Sequence, residues 1–276
     1  MDSLLALYRA HPNYVSDKWE SYLHCYDELF APLREKPVAM LEIGVQNGGS
    51  LEVWSRYFPN ATHLIGCDIN SACANLRHAD PRVKVLVADA SRPEALAAVL
   101  MQHTEYDIII DDGSHRSSDI VRSFALFFPH LKDGGIYIAE DLHCSYWAQF
   151  EGGLFDQTSS VSFFKRLVDA INFEHWGYAA DPASILDEFR GKYGATISAE
   201  TLSHIHSVAF QNSVCIVRKE KPARNTLGPR TVAGTVELVA QGHPPLNGTA
   251  ARAIAQDPAR AAKDPIAMLR DLAGRG

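Results

Sequence analysis

Residues 106–115 read YDIIIDDGSH, a stretch in which an apolar run ends in two acids and then a histidine. Residues 134–143, GGIYIAEDLH, repeat this pattern. Short runs of β-branched residues bounded by glycine or charge are typical of strands that are buried on both faces. In an open α/β sheet, ligands bind beyond the carboxyl ends of such strands. The two stretches therefore predict four carboxylates and two imidazoles at one edge of one sheet, and so much like charge indicates a bound cation.

The chain around these stretches alternates between strand and helix patterns. Strands are predicted at residues 38–45, 63–67, 83–88, 107–110 and 136–139, and helices at residues 50–57, 71–77, 93–101 and 117–128. Five such units with short connections predict an α/β fold with a doubly wound, Rossmann-like, mostly parallel sheet. A helix at residues 161–171 and a C-terminal antiparallel hairpin at residues 205–210 and 214–217 complete the predicted domain.

Local signals set the expected ends of these elements. Ser50, Ser71 and Ser91 stand where helix N-caps are expected, and Pro93 suits a first helical turn. The pair Gly134-Gly135 predicts a helix stop before the fifth strand.

Three segments are expected along the chain. Residues 1–36 form an N-terminal helical segment, because aromatic residues recur there at helical spacing, as in Trp19, Tyr22, Tyr26 and Phe30. Residues 37–219 form the α/β domain. Residues 220–276 are a C-terminal extension, rich in Ala, Pro, Gly and Arg, with one helix predicted at residues 265–272. This extension is either a loosely packed tail or an oligomer contact.

The composition excludes several classes of protein. With 46% hydrophobic and 21% charged residues, the 276-residue chain is typical of a globular protein. The net charge of −7 and the lack of a basic run argue against nucleic-acid binding. No apolar stretch reaches membrane-spanning length, and residues 1–12 lack a cationic leader. Five cysteines without a CxxC pair predict a reduced, cytoplasmic protein.

The first predicted strand ends in a glycine-containing turn, residues 41–50, LEIGVQNGGS. Its glycines lack the GxGxxG spacing that lets a backbone approach a pyrophosphate. A turn of the form E-x-G-x-x-x-G suits a smaller group, such as the aminoacyl end of S-adenosylmethionine. Glu42, Gly44 and Ser50 are therefore candidate cofactor-binding residues.

The next strands end in acids that would serve the same cofactor. Asp68 is placed to accept the two ribose hydroxyls, and Asp89 with Ala90 lies near the expected adenine edge. An acid after the second strand also occurs in NAD-binding folds. The alternative is that these residues are N-caps or turn residues without any ligand. Asp111 is grouped with this side of the site, either as the cap of the helix near Ser117 or as a group that orients a neighbour.

From residue 16 to about residue 219, the chain resembles the metal-dependent, class I S-adenosylmethionine O-methyltransferases that modify sugars of macrolide antibiotics. The stretches LEIGVQNGGSLEVW, DDGSH and AEDLHCSYW carry the resemblance. It implies a magnesium site made by Asp112, Glu140 and Asp141, with His115 as general base. It also implies that residues 68 and 89 contact the ribose and the adenine.

The chemistry of such a reaction agrees with these residue types. A sulfonium methyl is already activated, so the enzyme must align the two substrates and remove the proton of the acceptor. A sugar hydroxyl is a very weak acid, and coordination to a dication lowers its pKa. Three carboxylates without a cysteine describe a hard cation such as Mg²⁺. The prediction is a Mg²⁺-dependent transfer of methyl to a sugar hydroxyl of a natural-product glycoside or glycan.

The expected partners follow from this prediction. They are a small-molecule glycoside acceptor and a second copy of the chain in a homo-oligomer, with neither nucleic acid nor membrane. His143, Tyr146 and Trp147 are expected to line the acceptor pocket, although Tyr146 and Trp147 would also suit an ordinary core.

Two alternative functions remain at this point. His115, His143 and Asp112 would form a two-histidine, one-carboxylate site for Fe(II), as in a hydroxylase of secondary metabolites. A catalytically silent partner protein that keeps the fold is the second alternative, but it predicts decay of the site, whereas every expected acid is present.

Overall fold

The computed structural model describes residues 2–255, and within them seven strands form one sheet. The strands are β1 (Ala39–Ile43), β2 (His63–Asp68), β3 (Val83–Val87), β4 (Tyr106–Asp111), β5 (Leu131–Ala139), β6 (Ile205–Gln211) and β7 (Val214–Lys219). Their order is β3-β2-β1-β4-β5-β7-β6. The first five strands are parallel, β7 runs antiparallel to β5, and β6 runs antiparallel to β7. The predicted doubly wound sheet with a C-terminal antiparallel hairpin is confirmed.

Helices cover both faces of this sheet. They are α1 (Leu4–Arg9), α2 (Glu20–Phe30), α3 (Gly49–Tyr57), α4 (Pro93–Leu100), α5 (Ser117–Phe127), α6 (Ser160–Ile171), α7 (Asp187–Tyr193) and α8 (Ala199–Ser203). Buried residues of α1, α2 and α3 pack in one apolar cluster, and those of α4 to α8 pack in another. Strand β1 shows the division, since Leu41 and Ile43 belong to the second cluster and Met40 belongs to the first. Because both faces are covered, ligands reach these strands at the ends.

All three predicted serine N-caps are wrong, and two of these serines donate to a carboxylate instead. The N-cap of α3 is Gly48, in the left-handed region with φ +84°, and Ser50 lies inside the helix. The Ser50 hydroxyl donates instead to Glu42 Oε2 at 2.7 Å. Ser91 lies two residues before α4, and its hydroxyl donates to Asp89 Oδ1 at 2.7 Å. In both cases a carboxylate is a stronger acceptor for the hydroxyl, and the helix end is left without a side-chain cap.

The helix predicted at residues 71–77 is a short 3₁₀ helix, Ser71–Asn75. Its N-cap is Asn70, whose side-chain oxygen accepts from the backbone N–H of Ala72 at 3.0 Å. The expected cap at Ser71 is therefore displaced by one residue.

The glycine pair before the fifth strand has a different role from the predicted helix stop. Strand β5 begins at Leu131, and Gly134-Gly135 lies inside it. The register between β4 and β5 shifts there, and Gly134 has φ +85°. Glycine adopts this backbone without strain, so the pair accommodates an irregularity within the strand.

The segments before and after the α/β domain differ in their content of regular structure. The predicted N-terminal amphipathic helix is confirmed as α2, which buries Tyr22, Tyr26 and Phe30. Residues 220–255 contain short 3₁₀ turns and an isolated bridge, and the helix predicted at residues 265–272 lies outside the described residues. The boundaries of the three segments stay a prediction. Within residues 2–255, no helix combines the length and apolar character needed to cross a membrane.

Candidate functional site

A cavity of about 460 Å³ opens at the edge of the sheet where the five parallel strands end. Nine of the predicted site residues line it: Gly44, Ser50, Asp68, Asp89, Ala90, Asp111, Asp112, His115 and Asp141. The predicted site residues outside its lining are Glu42, Glu140, His143, Tyr146 and Trp147. The prediction that strand ends bring these acids to one place therefore agrees with the structure.

The Asp68 carboxylate shapes the turn that follows β1. Its Oδ2 accepts the backbone N–H groups of Val45 at 2.7 Å and Gln46 at 2.9 Å, and its Oδ1 accepts that of Asn70 at 2.8 Å. A carboxylate has about four lone-pair positions, so the group retains acceptor capacity toward the cavity. Its contact with a ribose stays a prediction.

Gly44 joins the same turn to the turn that follows β4. It has φ +91°, and a Cβ at this position would lie 2.0 Å from the carbonyl oxygen of Asp112. The backbone N–H of Asp112 in turn donates to the carbonyl of Ile43 at 2.8 Å. The two turns are therefore in direct backbone contact, and only glycine fits between them.

The third acid on this side, Asp89, is held by its own turn. Its Oδ1 accepts the backbone N–H of Ser91 at 3.0 Å as well as the serine hydroxyl. Burial raises the pKa of Asp89, but the hydrogen bonds from Ser91 and the nearby Arg92 lower it more, and the net pKa is lowered. The carboxylate therefore lies charged in the cavity wall beside Ala90.

Asp111 does not cap α5. Arg116 stands at the N-cap of α5, and that cap has no side-chain hydrogen bond. Asp111 Oδ2 instead accepts from the hydroxyl of Ser123 and, at 3.0 Å, from that of Tyr137. Burial raises the pKa of Asp111 to about 6, although both hydroxyls lower it. Of the two predicted roles, the helix cap is wrong, and the bonds favour an orienting role.

Three of the predicted catalytic and metal-binding residues form one compact cluster. Ligand atoms of Asp112, His115 and Asp141 all lie within 4.8 Å of one another. His115 Nε2 is 3.9 Å from Asp112 Oδ1 and 3.6 Å from Asp141 Oδ2. His115 and Asp141 have positive φ values of 58° and 53°. Such backbone is uncommon outside glycine and occurs often at functional sites.

Glu140, the third predicted metal ligand, faces the buried side of this cluster. It is 1% exposed, and its Oε1 accepts from Lys18 Nζ at 2.6 Å and from the hydroxyl of Tyr26 at 2.7 Å. Burial raises the pKa of Glu140, and Lys18 opposes this effect. Its role as a metal ligand stays a prediction.

Lys18 is a site residue that sequence reasoning missed. Its side chain is 2% exposed, and its ammonium contacts both Asp112 and Glu140 and lies 3.8 Å from Glu42 Oε1. Burial lowers the pKa of Lys18, but the carboxylates raise it well above its ordinary value. The surrounding stretch, SDKW, carries no local signal of these contacts, because the partners lie 94 and 122 positions away.

Glu42 lies behind the cavity wall, at the base of this network. It is fully buried, accepts from the hydroxyl of Ser50, and receives a longer hydrogen bond of 3.4 Å from Trp54 Nε1. Burial raises its pKa, while Lys18 and the Ser50 hydroxyl lower it. Direct contact between Glu42 and a cofactor stays a prediction.

Aromatic rings form a rim beside the cluster. The His143 ring is 5.0 Å from that of Trp147 and 6.3 Å from that of Trp19. Phe150 extends the rim, with its ring 6.1 Å from Trp147 and 6.5 Å from His115. Phe150 was missed by the sequence analysis. Tyr146 and Trp147 are about half exposed, so an ordinary core role is wrong for both of them.

The turn between β6 and β7 holds the segment that follows β5. The carbonyl of Ser213 accepts the backbone N–H of Leu142 at 2.9 Å, and the Ser213 hydroxyl contacts both the backbone and the ring of His143. Tyr22 also donates to Asp141 Oδ1 at 2.7 Å. The acid cluster is thus fixed by residues from both ends of the described chain.

The alternative Fe(II) site is not assembled. Within residues 2–255, the only group of potential metal ligands that converges with Asp112 and His115 includes Asp141 and not His143. The His143 ring contacts Ser213 instead. The two-histidine, one-carboxylate arrangement is therefore wrong for this chain.

Glu151 fastens the loop that carries the aromatic rim to α5. Its carboxylate accepts the backbone N–H of Ser118 at 3.0 Å and pairs with Arg116 at 2.5 Å. Burial raises the pKa of Glu151, but these two partners lower it more, to about 2. A carboxylate whose pKa is depressed by folding stabilises the fold above its unfolded pKa and loses that contribution as the pH falls through the folded value.

We expect Glu151→Gln to lower the free energy of unfolding by about 1 kcal/mol at pH 7. The difference from the unmodified protein should shrink as the pH falls from about 4.5 toward 2, because the carboxyl group is protonated first in the unfolded chain and in the folded protein only near pH 2. Chemical denaturation at several pH values measures this. The exposed Glu94 of α4 supplies the control, Glu94→Gln. A difference that stays constant across the pH range would contradict the assignment.

Comparison with known proteins places this site among related ones. Residues 41–142 match a family described as a methyltransferase domain. The chain is 42% identical over 187 residues to an 8-demethyl-8-alpha-L-rhamnosyl tetracenomycin-C 2'-O-methyltransferase of Streptomyces olivaceus, a match that covers 64% of this chain and 48% of the relative. It is 35% identical over 168 residues to the mycinamicin VI 2''-O-methyltransferase of Micromonospora griseorubida, covering 57% and 40%. The chain spans less than half the length of these relatives.

The fold of the chain is also similar to that of a solved methyltransferase structure. The MycE methyltransferase from the mycinamycin biosynthetic pathway, in complex with Mg, SAH and mycinamycin VI, superposes with a TM-score of 0.62 at 26% identity. The match covers 80% of this chain and 55% of that chain. The resemblance inferred from the three sequence stretches is confirmed.

Proposed function

Because residues 41–142 match a family described as a methyltransferase domain, we propose that the chain transfers the methyl group of S-adenosylmethionine to a sugar hydroxyl of a natural-product glycoside or glycan. One observation carries the proposal. A single cavity is lined on one side by Asp68 and Asp89 and on another by the cluster of Asp112, His115 and Asp141. A donor and an acceptor that react must lie side by side in this way. The rhamnosyl group in the name of the tetracenomycin relative points to the acceptor class.

The donor side of the cavity would hold the nucleoside. Asp68 and Asp89 present carboxylate oxygens, which accept hydrogen bonds from hydroxyl and amino groups. Gly44 lines the same cavity, so the turn that carries it would lie beside the small aminoacyl group. The residues on the donor side would only align the donor, since the sulfonium methyl needs no further activation.

His115 is the proposed general base. Its Nε2 lies 3.9 Å from Asp112 Oδ1 and 3.6 Å from Asp141 Oδ2, two carboxylates that would hold the metal, so a proton acceptor would stand beside the bound hydroxyl. Its Nδ1 is buried and has no hydrogen-bond partner among the described residues. Phe150 lies beside the ring and would limit the access of water to it.

The acid cluster fits a hard divalent cation. Asp112 and Asp141 line the cavity, Glu140 joins the cluster from the buried side, and the cluster already attracts the ammonium of Lys18. These three carboxylates would hold Mg²⁺, which supplies charge that lowers the pKa of the acceptor hydroxyl. His143, Tyr146 and Trp147 would contact the acceptor from the rim. The location of the protein in the cytoplasm and its assembly into homo-oligomers stay predictions.

Calorimetry tests the proposed cofactor directly. We expect S-adenosylmethionine and S-adenosylhomocysteine to bind the purified protein with Kd values at least about tenfold lower than that of NAD. Methyl transfer to a panel of rhamnosides and related glycosides should require Mg²⁺ and stop when EDTA is added. Equal binding of NAD, or the absence of binding by both methyl-donor nucleosides, would refute the proposal.

A further inference from the structure

The segment of residues 13–19, here called the strap, lies between α1 and α2 in the chain and forms part of the cavity wall. The N–H of Tyr14 donates to Glu52 Oε2 at 3.2 Å, and the Tyr14 hydroxyl accepts the N–H of Arg77 at 3.2 Å. Gly49 lies so close beneath the strap that an added Cβ would be 2.1 Å from the carbonyl oxygen of Tyr14. Residues 15–18 line the cavity. The strap therefore has one end on the donor side of the site.

The other end of the strap carries Lys18. Its ammonium bridges Asp112, a predicted ligand that lines the cavity, and Glu140, a predicted ligand that is buried. The next residue, Trp19, donates from Nε1 to Asp141 Oδ1 at 3.2 Å. All three predicted metal ligands are thus hydrogen-bonded to two consecutive residues of the strap.

We propose that Lys18 is a tethered cation that occupies the divalent-metal position and must leave it when the metal binds, so that metal binding releases the strap. This inference rests on the proposed function, because it assumes the metal site of the methyltransferase reaction. An ammonium and a divalent cation that share Asp112 and Glu140 repel each other strongly in a buried setting. Without a cation, the same two carboxylates would repel each other, so Lys18 stabilises the metal-free protein.

The proposal links the metal to the donor. The segment that Lys18 anchors also covers the donor side of the cavity, so the metal-free state holds the strap closed. When a divalent ion replaces the ammonium, the strap loses one of its anchors and the cavity becomes easier to enter. Lys18 is thereby a positioning residue that acts on the ligands and does not react itself.

The test compares Mg²⁺ affinities by calorimetry in the absence of any nucleoside or acceptor. Lys18→Met, which removes the charge and keeps most of the length, should tighten Mg²⁺ binding by at least about tenfold. Lys18→Arg, which keeps the charge, should leave the affinity within about threefold of the unmodified protein. The exposed Lys36 gives the matched control, and Lys36→Met should have no effect. Unchanged or weaker Mg²⁺ binding by Lys18→Met would overturn the proposal.

Hydrogen exchange on the unmodified protein provides a second measurement that does not depend on how the variants fold. Backbone amides of the strap should exchange faster with saturating Mg²⁺ than without metal, whereas amides of α6 should not change. Unchanged or slower exchange in the strap would overturn the proposal. Binding of S-adenosylhomocysteine is measured separately without metal, so failure of the proposed function is distinguished from failure of the strap mechanism.

Discussion

Replacement of His115 by alanine is expected to lower the rate of methyl transfer by about 10²–10⁴-fold, the usual contribution of a general base. S-adenosylhomocysteine should bind within about threefold of its original affinity, because His115 is predicted to act on the acceptor and not on the donor. The exposed His24 provides the control, and His24→Ala should retain full activity. Unchanged turnover in His115→Ala would refute the assignment.

Two further measurements separate loss of the base from other effects. His115 has φ 58°, a backbone that asparagine adopts more readily than alanine, so His115→Asn removes the imidazole with less strain. Both variants should lose the same activity. The Mg²⁺ affinity of each should also stay close to the original. A large loss of Mg²⁺ affinity would mean that His115 is a metal ligand, which its place within 4.8 Å of the carboxylates also permits.

Gly44→Ala is the second substitution for which we expect a large effect. Its Cβ would lie 2.0 Å from the carbonyl oxygen of Asp112, and alanine is strained at φ +91°. The two turns must move apart, so the free energy of unfolding should fall by at least about 2 kcal/mol. Donor affinity should fall by at least about tenfold, because the turn that approaches the aminoacyl group is displaced.

Chemical denaturation and S-adenosylhomocysteine calorimetry measure these two losses. Gly191 supplies a matched control, since it lies in α7 and an added Cβ would meet nothing within 4 Å. Gly191→Ala should be neutral or stabilise the protein by up to about 1 kcal/mol. If Gly44→Ala keeps both its stability and its donor affinity, the close contact between the two turns has no role.

The sheet could be predicted because each strand is marked by a local pattern of apolar residues. An apolar run such as residues 106–111 is buried on both faces wherever it lies in a parallel sheet, so composition alone indicates the strand. Acids directly after such runs then reach one edge through topology. The convergence of Asp68, Asp112 and Asp141 needed no further information.

What could not be predicted depends on distant partners or on backbone conformation. Lys18 meets Asp112 and Glu140 across 94 and 122 positions of the chain, and no local pattern records such a pairing. The left-handed backbone at Asp141 turns its side chain toward the cavity while that of Glu140 turns inward. Two adjacent acids of similar type therefore received the same prediction and have different surroundings.

The contacts that Ser213 makes with His143 form late during synthesis of the chain. During synthesis from the N-terminus, the acids after β4 and β5 are complete some seventy positions before the turn that holds His143 in place. A fragment limited to residues 41–142 would carry every predicted magnesium ligand. It would lack Tyr22 and Tyr26 on one side and Ser213 on the other, so its acids would lose the hydrogen bonds that hold them in place. Such a fragment should fail to form the magnesium site, because the site needs residues on both sides of this fragment as well as those within it.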